Sequence, residues 1–135
     1  MTTNITIIED ALRDINVISE VQSASAEQGA HALRKLNQVM EAWKENDIDF
    51  GWFSQTLTTD TIPVPDWAEI GVTSALSIAI ASKYGASVSQ ELIAVGEAGM
   101  SMILRKMISE KLKNADMSHL PTGSNQSSHN ILNDR

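Results

Sequence analysis

The order of apolar and polar positions divides the 135 residues into four helical stretches, one extended stretch and a polar tail. The most apolar stretch is 66–85, which has no charged residue between Ile70 and Ala81. A helix that is apolar on nearly all sides is packed by neighbours on several of them. The run is also shorter than the roughly 20 apolar residues of a membrane span. We therefore predict that it forms the central helix of a small bundle.

The ends of this central helix carry capping signals. Asp66 and Glu69 have the spacing of a capping box, in which each side chain accepts a hydrogen bond from the backbone amide of the other residue. Gly85 can adopt the left-handed conformation that closes a helix. The pattern predicts a helix that extends from Asp66 to Gly85.

Small residues recur on one face of the central helix, at Gly71, Ala75 and Ala79. Gly96 and Gly99 lie in the last helical stretch, where each glycine lowers helix propensity by roughly 1 kcal/mol relative to alanine. Close packing of two helix backbones explains glycine at such positions. We predict that these two small-residue faces meet.

Two amphipathic helices are predicted before the central one. The first extends from Thr6 to about Val17, with Thr6 and Glu9 at capping-box spacing. The second begins near Ser25, whose capping-box partner is Gln28, and ends around Asn46. Apolar residues three and four positions apart form the core-facing stripe of each helix.

The last helix is predicted to be capped by Ser87 or Ser89 and to end at about Lys113. Methionines at 100, 102 and 107 cannot all point into one small core. Methionine adapts to irregular surfaces, so we expect some of the three to meet another subunit.

The stretch 47–65 is predicted to be extended, because it is rich in aromatic and β-branched residues and ends in Pro63 and Pro65. A short hairpin that turns near Thr59-Asp60 is one form it could take. One interpretation is a lid over one end of the core. The alternative is an aromatic patch offered to a partner, since aromatic residues are enriched at interfaces. The candidate interface residues are Phe50, Trp52 and Phe53.

Residues 116–135 are rich in Pro, Gly, Ser and Asn and have no helical or strand periodicity. Such a tail is disordered in isolation. It is either a solvated terminus or a peptide arm that becomes ordered on binding, with Ile131 and Leu132 as anchors. The prediction is thus an all-α, four-helix bundle-like domain over 1–115, with a short extended or hairpin segment, and an unstructured C-terminal arm over 116–135.

Charge and composition narrow the classes of function. The absence of cysteine excludes disulfides, thiolate nucleophiles and cysteine-based metal sites. The net charge of −7 argues against wrapping of nucleic acid, which needs clustered basic residues. Residues 1–82 contain 12 acidic and 4 basic residues, whereas residues 83–135 contain 5 and 6. This asymmetry suits either a molecule with different partners at its two ends or identical copies packed side by side, although lysines at the end of a helix also produce it.

No catalytic or metal-binding motif is present. The three histidines, His31, His119 and His129, have no ligand spacing, and we interpret His31 as a surface or capping residue. The motifs of serine hydrolases, phosphate-binding loops and dinucleotide-binding folds do not occur. The N-terminal stretch has no basic start followed by an apolar run, so we expect a cytoplasmic protein. We predict an interaction protein with no catalytic residue, no metal and no cofactor.

Three stretches carry a resemblance to a known family. They are Ala11–Val17 (ALRDINV), Leu36–Ile48 (LNQVMEAWKENDI) and Leu120–Asn125 (LPTGSN). In this order they resemble the head-to-tail adaptor, or packaged-DNA stabilisation, proteins of short-tailed phages of the P22 type.

The resemblance implies a non-enzymatic virion protein at the head-tail junction, assembled in the host cytoplasm. Members of this family form a twelve-membered ring below the portal, and each C-terminal arm docks along the portal protein. The partners implied are the portal, neighbouring copies in the ring, and tail hub, needle or other tail proteins. DNA passes through the channel without sequence-specific binding, and no membrane is involved. The portal-binding residues implied are Leu120, Pro121, Thr122, Gly123, Ser124 and Asn125.

Two rival functions remain open from the residues alone. The first is a small helical regulator or antitoxin-like binding protein, which would form a stable dimer. The second is a helical cell-wall hydrolase that uses carboxylates such as Glu41 and Glu45. A catalytic pair of this kind requires both carboxylates in one cleft.

Overall fold

A computed structural model describes residues 2–114, and these form four α-helices. The helices are α1 (Asn4–Asp14), α2 (Ala26–Glu45), α3 (Glu69–Ala81) and α4 (Gln90–Asn114). Single 3-10 turns at Asp66–Ala68 and Ser82–Tyr84 flank α3. The predicted all-α, four-helix domain is confirmed. The predicted arm, with 120–125, Ile131 and Leu132, lies outside the described residues.

Helix α3 is the centre of the bundle, as its apolar pattern predicts. It packs against each of the other three helices, and seven of its 13 residues are buried. The hydroxyl of Ser77, although buried, donates to the backbone carbonyls of Ala11 (3.2 Å) and Thr73 (2.9 Å). This hydroxyl therefore has partners within the core and ties α3 to α1.

Helices α3 and α4 meet at a pair of glycines, which confirms the predicted close approach. A Cβ atom on Gly99 would lie 2.8 Å from the Cα of Gly71. A Cβ on Gly71 would lie 2.7 Å from Cδ1 of Ile103, which is fully buried. The contact is between backbones, so neither position has room for a side chain.

The first helix begins at Asn4, so the predicted capping box of Thr6 and Glu9 is wrong. The amide of Asn4 donates to the carbonyl of Asp60 (2.9 Å), and the amide of Ile5 donates to the carbonyl of Thr58 (2.7 Å). Amides at a helix start need acceptors. Here the extended segment supplies them, and no side-chain cap is used.

The predicted capping box of Asp66 and Glu69 is also wrong. Asp66 begins the 3-10 turn, and the amide of Glu69 donates to the backbone carbonyl of Asp66 instead of to its side chain. The other two caps follow prediction. Ser25 and Gln28 form both hydrogen bonds of a capping box, and Ser89 accepts from the amide of Leu92 at 3.1 Å.

Helix-terminating turns in the left-handed conformation occur at Asn16, Asp47 and Gly85, with φ of 60°, 67° and 61°. In each turn the following amide donates to a carbonyl five residues earlier, as from Val17 to Leu12 (2.9 Å). This is the hydrogen bond of the Schellman motif. Gly85 is the predicted closing residue, whereas the first helix ends before Val17 because Asn16 closes it.

The stretch 47–65 is extended, as predicted, and the chain turns at 58–60. After the turn, Thr61 forms an isolated antiparallel bridge with Thr3. The segment therefore pairs with the start of the chain, and no hairpin forms across the turn. Within residues 2–114 there is no regular strand.

Candidate interaction surfaces

The first candidate surface is a groove of about 850 Å³ between α1, the connector that follows it, α3 and the first half of α4. We call it the acidic groove. Its carboxylates are Asp10, Asp14, Glu20 and Glu69, and its apolar and hydroxyl-bearing residues include Ile70, Thr73, Ser74 and Val95. Ile70 and Val95 are both exposed. The groove thus combines negative charge with uncovered aliphatic surface.

Arg13 is the basic residue among those that line the acidic groove, and its guanidinium already has ion-pair and hydrogen-bond partners. Its guanidinium contacts Glu9 (3.0 Å) and Asp10 (3.5 Å), and it donates to the carbonyls of Ser19 and Gln22. Partial burial of the Asp14 carboxyl, together with the negative charge of Asp10, raises its pKa above the ordinary value of 3.8. The carboxylates of the groove are therefore not fully neutralised within the chain.

The second candidate surface is on the C-terminal half of α4. Leu104, Ile108 and Leu112 occupy every fourth position and are between 43% and 65% exposed. Residues four apart share one face of a helix, so these three form a continuous apolar stripe. We call it the α4 stripe. Arg105 and Lys111 lie three positions to either side of Ile108, and both are exposed. The stripe is therefore bordered by positive charge.

The opposite side of this half-helix is packed. Lys106 places its Nζ atom 5.9 Å from the ring centre of Trp67, and Met107 is half-buried. Phe50 meets Trp67 edge to face, with ring centres 5.8 Å apart. These contacts fix the rotation of the C-terminal half of α4. As a result the α4 stripe points to solvent.

The amide side chain of Asn37 holds the extended segment against α2, and that of Gln55 holds it against α1. Asn37 accepts from the backbone amide of Gln55 (2.8 Å) and donates to its carbonyl (2.9 Å). The buried side chain of Gln55 accepts from Asn4 at 2.9 Å. With Gln55 held inward, Phe53 and Leu57 face solvent. These hydrogen bonds therefore hold the apolar side chains of Phe53 and Leu57 at fixed positions on the surface.

The three predicted interface aromatics have different environments. Trp52 is buried in the core, Phe50 is half-buried against Trp67, and Phe53 is 63% exposed. Both interpretations of the segment thus apply to different residues: Trp52 covers the core, and Phe53 is left as a candidate contact. Sequence reasoning missed Leu57, and strand alternation does not mark it: residues two apart share one face of an extended segment, whereas here Gln55 is buried and Leu57 is exposed.

The remaining candidate residues from the sequence, His31, Glu41 and Glu45, lie on α2 and belong to none of the surfaces described above. His31 is half-buried and meets Tyr84 edge to face, with ring centres 6.5 Å apart, so it is not a cap. Burial, and then the positive charges of Lys83, Lys35 and Arg34, lower its pKa below 6.5. Glu41 and Glu45 are exposed on α2.

Within residues 2–114, no group of three or more His, Asp or Glu side chains is arranged to hold a metal ion. None of the helices in this described part is long and apolar enough to cross a membrane. Comparison of the chain with protein-family models and with curated proteins finds no match.

Proposed function

We propose that this chain is a head-to-tail connector of a short-tailed phage. Copies would assemble in a ring on the portal, extend the DNA channel, retain the packaged DNA and receive the tail proteins. The observation that carries the proposal is the order of three stretches, ALRDINV, LNQVMEAWKENDI and LPTGSN, which resemble the adaptor family at the same places in a helical chain.

The first two stretches have a physical role that suits a rigid body. Each one ends a helix: the first turns at Asn16 and the second at Asp47, both in the left-handed conformation. The second stretch also contains Leu36 and Met40, which are fully buried in the core. Together they specify the ends of two helices, and the third stretch begins six residues after α4 ends at Asn114.

The surface properties also suit a ring around a DNA channel. A net charge of −7 repels a duplex and so lets it slide without being gripped. Two apolar surfaces of unlike charge, the acidic groove and the α4 stripe, give each copy the means to contact more than one neighbour. A peptide arm that loses its entropy only on docking suits attachment to the portal.

The proposal is tested by native mass spectrometry of the chain alone and mixed with the portal ring of its own phage. We expect a monomer that adds to the portal as a fixed multiple. A stable small oligomer that ignores the portal would contradict the proposal.

Two truncations separate the parts of the arm. Deletion of 118–135 should leave the thermal unfolding curve unchanged and abolish portal binding. Deletion of 126–135 retains Leu120–Asn125 but removes Ile131 and Leu132, so its portal affinity measures the contribution of those anchors. Unchanged affinity after the longer deletion would remove the arm from the mechanism.

A second candidate is a small helical regulator that binds another protein. The exposed α4 stripe favours it, because an uncovered apolar helix face is a common protein-binding surface. This alternative expects a tight complex with a soluble partner or a stable dimer. The same mass-spectrometric experiment distinguishes it from the connector.

A further inference from the structure

The acidic groove and the α4 stripe are complementary in two independent respects. The groove has four carboxylates and one arginine, which is already paired. The α4 stripe is bordered by two exposed basic residues, Arg105 and Lys111. Both surfaces also expose aliphatic side chains, Ile70 and Val95 on one side and Leu104, Ile108 and Leu112 on the other. Apolar contact supplies affinity and opposite charge supplies orientation.

The two surfaces cannot satisfy each other within one molecule. Val95 in the groove and Ile108 in the stripe both lie on α4, thirteen positions apart. At 3.6 residues per turn they point about 140° away from each other. The α4 stripe of one copy can therefore reach an acidic groove only on a second copy.

This placement also determines the symmetry of the contact. A two-fold dimer brings the same patch of both copies together. If two α4 stripes packed face to face, Arg105 and Lys111 of one copy would lie close to the same basic residues of the other copy. A contact between unlike patches avoids this repulsion, and such a contact repeats from copy to copy, forming a ring where the rotation between copies closes.

We propose that the C-terminal half of α4 of one copy docks in the acidic groove of a second copy. The occupant of the groove is thus another molecule of this chain, with Leu104 and Ile108 against Ile70 and Val95. Closure into a ring rests on the proposed connector function, whereas the pairwise contact does not. Copies held side by side on a portal would face each other at millimolar effective concentration, so a weak contact in solution is sufficient.

Charge reversal tests the contact. The helix variant carries Arg105→Glu and Lys111→Glu, and the groove variant carries Asp14→Lys and Glu20→Lys. All four residues are exposed, so the monomer fold should be retained, and circular dichroism checks this. Sedimentation equilibrium at millimolar concentration should show self-association of the wild type. Each variant alone should associate at least about tenfold more weakly.

Rescue is the decisive result. An equimolar mixture of the two variants pairs a negative helix with a positive groove and a positive helix with a negative groove, so association should return. The chain with all four substitutions should also associate with itself. A wild type that stays monomeric at millimolar concentration, or variants that associate like the wild type, would overturn the proposal.

Disulfide trapping provides a second test that does not depend on charge. The chain has no cysteine, so each introduced thiol is unique. Ile108→Cys mixed with Ile70→Cys should yield a cross-linked pair under copper-phenanthroline oxidation in air, since a disulfide requires Cα atoms within about 7 Å. Ile108→Cys mixed with Phe53→Cys is the control, because Phe53 is exposed but belongs to neither surface. Equal cross-linking in both mixtures would contradict the docking.

Failure of this contact is distinguishable from failure of the connector function. If the wild type binds the portal and the charge variants bind it with the same stoichiometry, the contact is wrong and the connector function stands. If charge rescue occurs in solution but no portal binding is seen, the contact stands and the connector function fails.

Discussion

Helix α4 consists of two halves that differ in how deeply their apolar residues are buried. In the first half, 90–103, Leu92, Gly99 and Ile103 are buried, and the backbone itself touches α3 at Gly71. In the second half, 104–114, no residue is fully buried and three large aliphatic side chains face solvent. Ile103 is the last fully buried residue of α4, whereas Met107, four positions later on the same face, is only half-buried.

The comparison shows that one helix can have two kinds of partner. The first half is completed by α3, which is 13 residues long, whereas α4 is 25 residues long and extends beyond it. Within residues 2–114, no other helix covers Leu104, Ile108 and Leu112. A continuous apolar pattern in a sequence therefore does not reveal where intramolecular packing ends.

The largest effect on stability is expected from a comparison of two adjacent residues of α4, one buried and one exposed. Ile103→Ala should lower the free energy of unfolding by about 3 kcal/mol, because it leaves a cavity at a fully buried position. Leu104→Ala should change it by less than about 0.5 kcal/mol, since that side chain faces solvent. Denaturant unfolding measures both. Equal losses would mean that Leu104 is packed as tightly as Ile103.

The glycine contact is tested by Gly99→Ala. The new Cβ would lie 2.8 Å from a backbone atom of Gly71, so α3 and α4 must separate, and we expect a loss of about 2 kcal/mol in the free energy of unfolding. Gly96→Ala is the matched control. Its Cβ would meet the side chain of Ser74 at 3.3 Å, and the gain in helix propensity offsets the crowding. We expect Gly96→Ala to stay within about 1 kcal/mol of the wild type, and the two melting temperatures should differ clearly.

The smallest effect is expected at Asp14, where burial and the negative charge of Asp10 outweigh a stabilising hydrogen bond with Ser77. Because burial and Asp10 raise its pKa in the folded state, the folded chain binds more protons than the unfolded chain just above the ordinary value of 3.8. Stability is therefore lost as the pH rises through that interval. Asp14 also ends α1, where negative charge opposes the helix dipole.

Asp14→Asn should therefore raise the melting temperature slightly at neutral pH and leave it unchanged well below the ordinary aspartate pKa. Glu41→Gln, on an exposed face of α2, is the control and should have no pH-dependent effect. A lower melting temperature for Asp14→Asn at neutral pH would show that the hydrogen bond with Ser77 outweighs burial and the charge of Asp10.

The main elements of this fold could be predicted from the sequence because their signals are local. The apolar run of α3 and the glycines of α4 specify burial and close approach without reference to other segments. The caps at Ser25 and Ser89 depend on side chains two or three residues away. Each of these predictions needs only one helix, or two helices with complementary faces.

The sequence is least informative about groups whose partners are distant in the chain. The capping box at Thr6 is absent because Thr58 and Asp60 supply the acceptors at the start of α1. The aromatic cluster separates because only Trp52 is turned into the core. The acidic groove is formed from α1, α3 and α4, so its carboxylates have no common sequence signal.

The junction between the chain start and the extended segment has a consequence for the order of folding. Asn4 donates to the carbonyl of Leu57, 53 residues later, and the first amides of α1 depend on the same segment. During synthesis, α1 leaves the ribosome before its acceptors, which leave only after α2 is complete. Closing a loop of this length costs entropy before any contact is gained. Helix α1 therefore acquires its final first turn late, after the ribosome has released the segment that completes it.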